Sequence, residues 1–139
     1  MASFTKFNSF VEAVAEKVHN LGSDTLKVVL TNTTPSASNT QLSNITQISG
    51  TNGYTTGGAT ATTSSSAQSG GVYKLVLADV SWTASGGSIG PFEWAVLYND
   101  TATNDELIGY WDYGTAITLT NGNTFTVDFD ATNGVLTIT

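Results

Sequence analysis

The feature that most constrains the fold is a change of hydrophobic period at Thr25. Before it, Phe4, Phe7, Val11, Val14, Val18 and Leu21 recur every three or four residues, the repeat of one helix stripe, with Glu12, Glu16 and Lys17 opposite. After it, Leu26, Val28 and Leu30 alternate with their neighbours in TLKVVLT, the period-2 pattern of a strand. Short runs of the second kind then continue to the end of the chain: GVYKLVLADVSWTA, FEWAVLYN, LIGYWDYG, AITLT, TFTVDFD and GVLTIT. Each is bounded by Gly, Asn, Asp or Ser, with turn signals roughly eight to twelve residues apart, the spacing of an all-β sandwich or barrel.

The predicted fold is therefore mainly β: an antiparallel β-sandwich or jelly-roll-like domain with one N-terminal α-helix. Ser9 with Glu12 can form a capping box and Gly22 can end the helix in a left-handed conformation, which sets it at about residues 9–20. The sandwich runs from about residue 25 to 139. At 139 residues the chain accommodates a single domain, 1–139, that buries most of its unfolded surface. LSNITQI reads as one irregular helical turn, and GVYKLVLADVSWTA is long enough to require a bend near Asp79. Asn121-Gly122-Asn123 reads as a tight hairpin loop between AITLT and TFTVDFD. The segment Ser49–Gly71 is nearly low in complexity and lacks large aliphatic residues; it reads as a flexible Thr/Ser/Gly arm, with ATATTSSSA as an edge strand or hairpin within it.

Charge and cysteine content remove whole classes of function. The formal net charge is −7, the only basic residues besides His19 are Lys6, Lys17, Lys27 and Lys74, and arginine is absent. Such a chain cannot build the basic stripe that neutralises nucleic-acid phosphates, so no nucleic-acid partner is expected. Without cysteine there is neither a disulfide framework nor a thiolate metal site. No run approaches the roughly 18 apolar residues of a membrane span, so no membrane partner is expected. The first residues lack the pattern of a secretory signal, which leaves the cytosol where the chain is made as its expected place. The N-X-Thr/Ser triplets at Asn32, Asn44 and Asn99 then read as turn chemistry.

The stretch from Gly90 to Gly114, GPFEWAVLYNDTATNDELIGYWDYG, concentrates aromatic rings and carboxylates. On a strand, Phe92, Trp94, Val96 and Tyr98 share one face, which reads as a core face paired with the rings of LIGYWDYG. Three other readings attach to the same stretch. Trp94, Tyr110, Trp111 and Tyr113, if exposed, could stack on the C–H faces of a sugar. Asp100, Asp105 and Glu106 share one loop that could gather calcium, although the spacing is not an EF-hand and a solvated acidic turn is the plainer account. Glu93 and Asp112 could oppose each other as an acid–base pair, a combination that eleven acids also produce by chance. His19, the lone histidine, falls at the predicted helix end, where it packs or complements the helix dipole. No metal site and no cofactor follow from these residues, and the expectation is a non-enzymatic domain that binds other protein chains. Phe4, Phe7 and Phe10 are the candidate docking side chains at its N-terminal end.

Three blocks, FNSFVEAVAEKVHNLGSDTLKVVLTNTTP, WTASGGSIGPFEWAVLYNDTA and LIGYWDYGTAITLTNGNTFTVDFDATNGVLTIT, cover about two-thirds of the chain. Together they resemble small virion proteins of tailed bacteriophages. The carrying features are the helix leading into LGSDTLKVVLTN, the segment AVLYNDTA, the GYWDYG turn and the hairpin ending in TFTVDFD. The resemblance implies a structural role, most of all that of a head decoration or cement protein bound to the major capsid protein or other virion proteins. It further implies a homo-oligomer, with a trimer favoured, and localisation in the virion. Tail or fibre components, including carbohydrate or receptor-binding modules, are the alternative within the same class.

Overall fold

A computed structural model describes residues 2–139. Ten strands and one short helix follow in the order β1 (Phe4–Lys6), α1 (Ser9–Ala15), β2 (Leu26–Thr31), β3 (Ala59–Ala61), β4 (Thr63–Ser69), β5 (Val72–Leu77), β6 (Val80–Thr83), β7 (Ile89–Asn99), β8 (Leu107–Leu119), β9 (Thr124–Val127) and β10 (Leu136–Ile138). A single 3-10 turn, Leu42–Asn44, interrupts the long connection after β2. The strands form a five-stranded sheet in the order β1-β8-β7-β2-β3, a three-stranded sheet β10-β5-β4, and the pair β6-β9. Every ladder is antiparallel.

The five-stranded sheet is buried on both faces, which explains why β2 and β7 read as nearly continuous apolar runs. One face carries Leu26, Val28, Leu30, Ala95, Leu97, Ile108 and Trp111, which pack with Leu75 and Leu77 of β5, Trp82 of β6, Val127 of β9 and Phe129 in one core cluster. The opposite face carries Val29, Val96, Tyr98 and Leu107, closed by Phe7 and by Ile45 from the connection after β2. A sandwich thus forms on one side of the sheet, and a loop-covered second core on the other.

Phe92 does not share a face with Val96 and Tyr98 as strict alternation predicts. It packs in the same cluster as Ala95 and Leu97. The ladder is irregular on both sides of this residue: Gly90 and Pro91 of β7 oppose a single β8 residue between Ile89↔Leu119 and Phe92↔Ile117, and β8 carries extra residues from Tyr113 to Ala116 between Phe92↔Ile117 and Trp94↔Asp112. A bend between β5 and β6 is stabilised by Asp79, whose Oδ1 accepts the N–H of Phe129 at 2.9 Å. The loop at Asn121–Asn123 is tight, with Asn123 N–H donating to the Thr120 carbonyl at 3.0 Å. It does not close a β8–β9 ladder, however, because β9 pairs with β6.

The helix is shorter than its apolar repeat. Lys17 adopts φ 66°, its N–H donates to the Val14 carbonyl at 3.3 Å and that of Val18 to the Ala13 carbonyl at 2.8 Å. These two bonds form a Schellman cap with lysine in the place where glycine is usual, so the helix stops well before Gly22. Its N-cap is Asn8, without a side-chain bond, in place of the Ser9 capping box. The predicted stripe consequently dissolves: Phe4 belongs to β1, Leu21 to a loop, and Val11 stands 54% exposed.

The second half of the 49–71 segment is built into the sheets, while residues 49–58 remain turn and loop. β3 adds to the edge of the five-stranded sheet by pairing with β2, and β4 forms a hairpin with β5. Gly70 and Gly71, at φ 59° and 85°, supply the two consecutive positive φ angles of a type I′ turn, which only glycine adopts freely.

Candidate functional site

The most elaborate polar constellation joins two loops distant in sequence, the one following the helix and the one linking β7 to β8. At its centre is Asn99, the last residue of β7 and completely buried. Its Oδ1 accepts the N–H groups of Thr101 at 2.9 Å and Ala102 at 3.2 Å. That double acceptance fixes the amide orientation, so Nδ2 donates both its hydrogens, one to Asp24 Oδ2 at 2.7 Å and one to His19 Nδ1 at 3.0 Å. Asp24 Oδ2 also accepts the N–H of Asn20 at 2.8 Å, and Thr25 N–H donates to Thr101 Oγ1 at 2.8 Å. Every hydrogen-bonding position of the Asn99 side chain on the amide nitrogen and both lone pairs of its oxygen are therefore in use.

This geometry assigns the histidine tautomer. Because Nδ1 must accept, the proton resides on Nε2, which is buried and has no partner. Burial pushes the pKa of His19 below 6.5, while Glu106 and Asp24 act in the opposite direction. Protonation would place an Nδ1–H against the Asn99 amide hydrogens. The arrangement holds a neutral imidazole, stacked near the ring of Phe10 at a centroid distance of 5.5 Å.

Beside it opens a cleft of about 500 Å³ lined by Lys17, Asn20, Asp24, Thr101, Asn104 and Glu106, among others. In its acidic loop, Asp105 has its pKa raised by burial first, then by Asp100 and Glu106, with Lys27 opposing. Lys27 Nζ pairs with Asp100 Oδ2 at 3.1 Å. Glu106 folds back on Asn104, whose N–H and Nδ2 it accepts at 3.2 Å each. Among the described residues no group of three His, Cys, Asp or Glu side chains is placed to hold a metal ion. Asp100 and Glu106 are thus engaged separately, and the junction acts as a joint between two loops.

The aromatic candidates are packed. Phe7 is fully buried with its ring 5.0 Å from that of Tyr110; Phe10 is buried; Phe4, half-buried, sits 5.1 Å from Trp111 across the β1–β8 ladder. Of the three phenylalanines named as docking side chains, Phe7 and Phe10 are therefore core residues, one in each buried cluster, and Phe4 is half-buried against the larger cluster. At this end of the chain the exposed apolar side chains are Val11 and Val18. Trp94 and Trp111 are 9% and 7% exposed, too little to offer a ring face to a sugar, while Tyr110 and Tyr113 are half-buried, the latter 5.2 Å from Phe125.

Glu93 and Asp112 do meet: loss of solvation, then a hydrogen bond and charge repulsion from Asp112, raise the pKa of Glu93. The Asp112 Oδ1 also accepts the N–H of Gly114 at 2.7 Å, which ties it to the bulge. The Asn99 joint was not found from sequence, where Asn99 read only as a turn residue after β7. Its partners lie some 75 to 80 positions away, and the sole local signal is Asn-Asp-Thr at a strand end.

Fold and site together define a strand-rich antiparallel β-sandwich domain with one short helix and a buried histidine–asparagine–aspartate joint. No helix among the described residues is long and apolar enough to cross a membrane. Comparison of the chain with protein-family models, with curated proteins and with solved structures found no match.

Proposed function

We propose that this protein is a non-enzymatic structural component of a tailed-phage virion, a decoration or cement protein that binds the head shell through protein–protein contacts. The observation that carries this reading is where the molecule keeps its rings and its backbone. Its large aromatic side chains are spent on two cores, while its sheets end in open edges at β1, β3, β4 and β10. Open edges offer main-chain donors and acceptors to neighbouring chains, the currency of lattice assembly. The surface between them is rich in Ser, Thr, Asn and Gly, and the resemblance to small virion proteins agrees with both features. The partner is the major capsid protein or another virion protein, reached after synthesis in the host cytoplasm, and weak contacts gain strength by repetition over the shell.

Docking through Phe4, Phe7 and Phe10 is not retained. Removing residues 1–8 would delete β1 and the buried Phe7, and so would damage the fold itself. A heat-resistance assay tests the proposal: shells lacking the protein should rupture at lower temperature than the same shells after its addition. Equal rupture temperatures would count against a cement role.

A second reading, a tail- or fibre-associated module that binds carbohydrate, finds support in one cavity of about 240 Å³ lined by Trp111, Tyr113, Thr126 and Asp128, among others. Aromatic rings beside a carboxylate and a hydroxyl are the groups that a sugar's C–H faces and hydroxyls need. Glycan-array binding that is lost on Tyr113→Ala would favour this reading over the first.

A further inference from the structure

The edge strand β4, TSSSAQS, stands out among the open edges. It is the longest, at seven residues, and it is bonded on one side only, to β5. Ser69 and Val72 flank the two-residue turn as a hydrogen-bonded pair. The antiparallel alternation then directs the N–H and C=O of Ala67 and Ser65 toward β5, and those of Ser66 and Gln68 away from it. Open edges in soluble domains are normally blocked by lysine, proline or an inward charge. β4 has none of these, and its side chains are small and mostly exposed.

Charge identifies what pairs with it. From Val28 to Tyr73 the sequence contains no Asp, Glu, Lys, Arg or His, although the chain as a whole carries −7. Two copies of so acidic a protein repel over most of their surface, and this uncharged region is where they can approach at least electrostatic cost. The nearby Asp24, which borders the start of β4 at Thr62 and Thr63, is already held by Asn20 and Asn99. Lys74, opposite Ala67 in β5, donates to the Thr132 carbonyl at 2.8 Å.

We propose that β4 is a self-association edge, which pairs antiparallel with β4 of a second copy across a two-fold axis near Ser66. The two three-stranded sheets then join into one continuous six-stranded sheet. An isologous pair of this kind uses the same seven residues twice, matches the two edges in length, and satisfies the outward groups of Ser66 and Gln68 on both copies. β10, the opposite edge of the same sheet, has only three residues to offer. The two-fold arrangement departs from the trimer that the virion resemblance implies, and it does not depend on which shell or fibre the protein joins.

Sedimentation velocity of the full chain, measured across concentrations, tests it. The wild type should sediment as a dimer of twice 14.5 kDa. Ser66→Pro deletes an outward N–H and keeps the backbone bonds of β4 to β5, losing only the Ser66 Oγ–Tyr73 hydroxyl bond at 2.8 Å; an edge strand is a setting in which proline is tolerated, and the variant should sediment as a monomer. If that variant fails to fold, the double variant Ser64→Lys with Gln68→Lys decides, because it sets like charges across the dyad while keeping every backbone donor; it too should be monomeric, with an unchanged circular dichroism spectrum. In the wild type the Ser66 and Gln68 amides should exchange with solvent at least tenfold more slowly than in the double variant. A monomeric wild type, or a dimer or trimer whose mass survives the lysine pair, overturns the proposal. Shell binding is read in a separate experiment, so its failure alone would count only against the proposed function.

Discussion

Replacing Asn99 by alanine is the most informative single perturbation, because four hydrogen bonds from one fully buried side chain hold two loops together. The bonds from Thr101 and Ala102 lie at the part-buried side, where water can substitute, and account for about 0.5–1 kcal/mol each. The bond to Asp24 involves a carboxylate and accounts for about 1.5–3 kcal/mol, while the one to the neutral His19 adds about 1 kcal/mol. The sum is about 3.5–6 kcal/mol, which for a domain of this length lowers Tm by about 10–25 °C. Thermal unfolding followed by circular dichroism, with calorimetry to confirm two-state behaviour, gives the number. A loss below about 1 kcal/mol would refute the joint as a principal fastening of the two loops. Amide exchange supplies a second readout: in the variant, protection should fall first at Thr101, Ala102 and Thr25, not in β2 or β7.

Three further outcomes follow from the same structure. His19 should titrate below 6.5 in an NMR titration of its ring protons; because the unfolded chain binds more protons between the lowered value and 6.5, the histidine's contribution to stability is complete above 6.5 and is lost as pH falls through that window. Titration at or above 6.5 would contradict the assigned tautomer and its burial. Gly109→Ala should loosen β1, since a Cβ there runs into the ring of Phe4 and approaches the Thr5 carbonyl at 3.0 Å; the expected cost is about 1–3 kcal/mol, read by urea unfolding, and an unchanged midpoint would mean that β1 is not held against β8 as described. Acrylamide should quench the emission of Trp82, Trp94 and Trp111 only weakly, as all three are less than a tenth exposed; efficient quenching would reopen the sugar-stacking assignment.

Sequence made some of these features visible and hid others for definable reasons. The strand pattern of β2, β5 and β7 was legible because period-2 alternation and aliphatic content are local, and the bend near Asp79 followed from length alone. The helix end was hidden because Lys17 occupies a left-handed cap, a conformation that its residue type does not advertise. Phe7 and Phe10 read as docking side chains because a helix over about 9–20 leaves the apolar residues at its start without a core partner in the sequence; with Phe4 in β1, both rings are buried. Phe92 departs from the expected face where the β7–β8 ladder is irregular, with extra residues in both strands, and a simple alternation count carries no trace of such irregularities. In Ser49–Gly71 the expected edge strand at ATATTSSSA is present as β3 and β4, while the flexible arm expected around it is not, because these strands gain little from burial and are positioned by pairing with β2 and β5. Asn99 belongs to the same category: its role exists only after the fold brings His19 and Asp24 to it.

The role in a virion is tested most directly by counting. Purified protein should be mixed with tailed-phage particles that lack it and with emptied capsids, sedimented, and quantified per particle. A decoration protein should bind both in hundreds of copies, in fixed ratio to the major capsid protein. A dozen copies or fewer, or binding that disappears when the tail is removed, would contradict a place on the head lattice and move the protein to the tail.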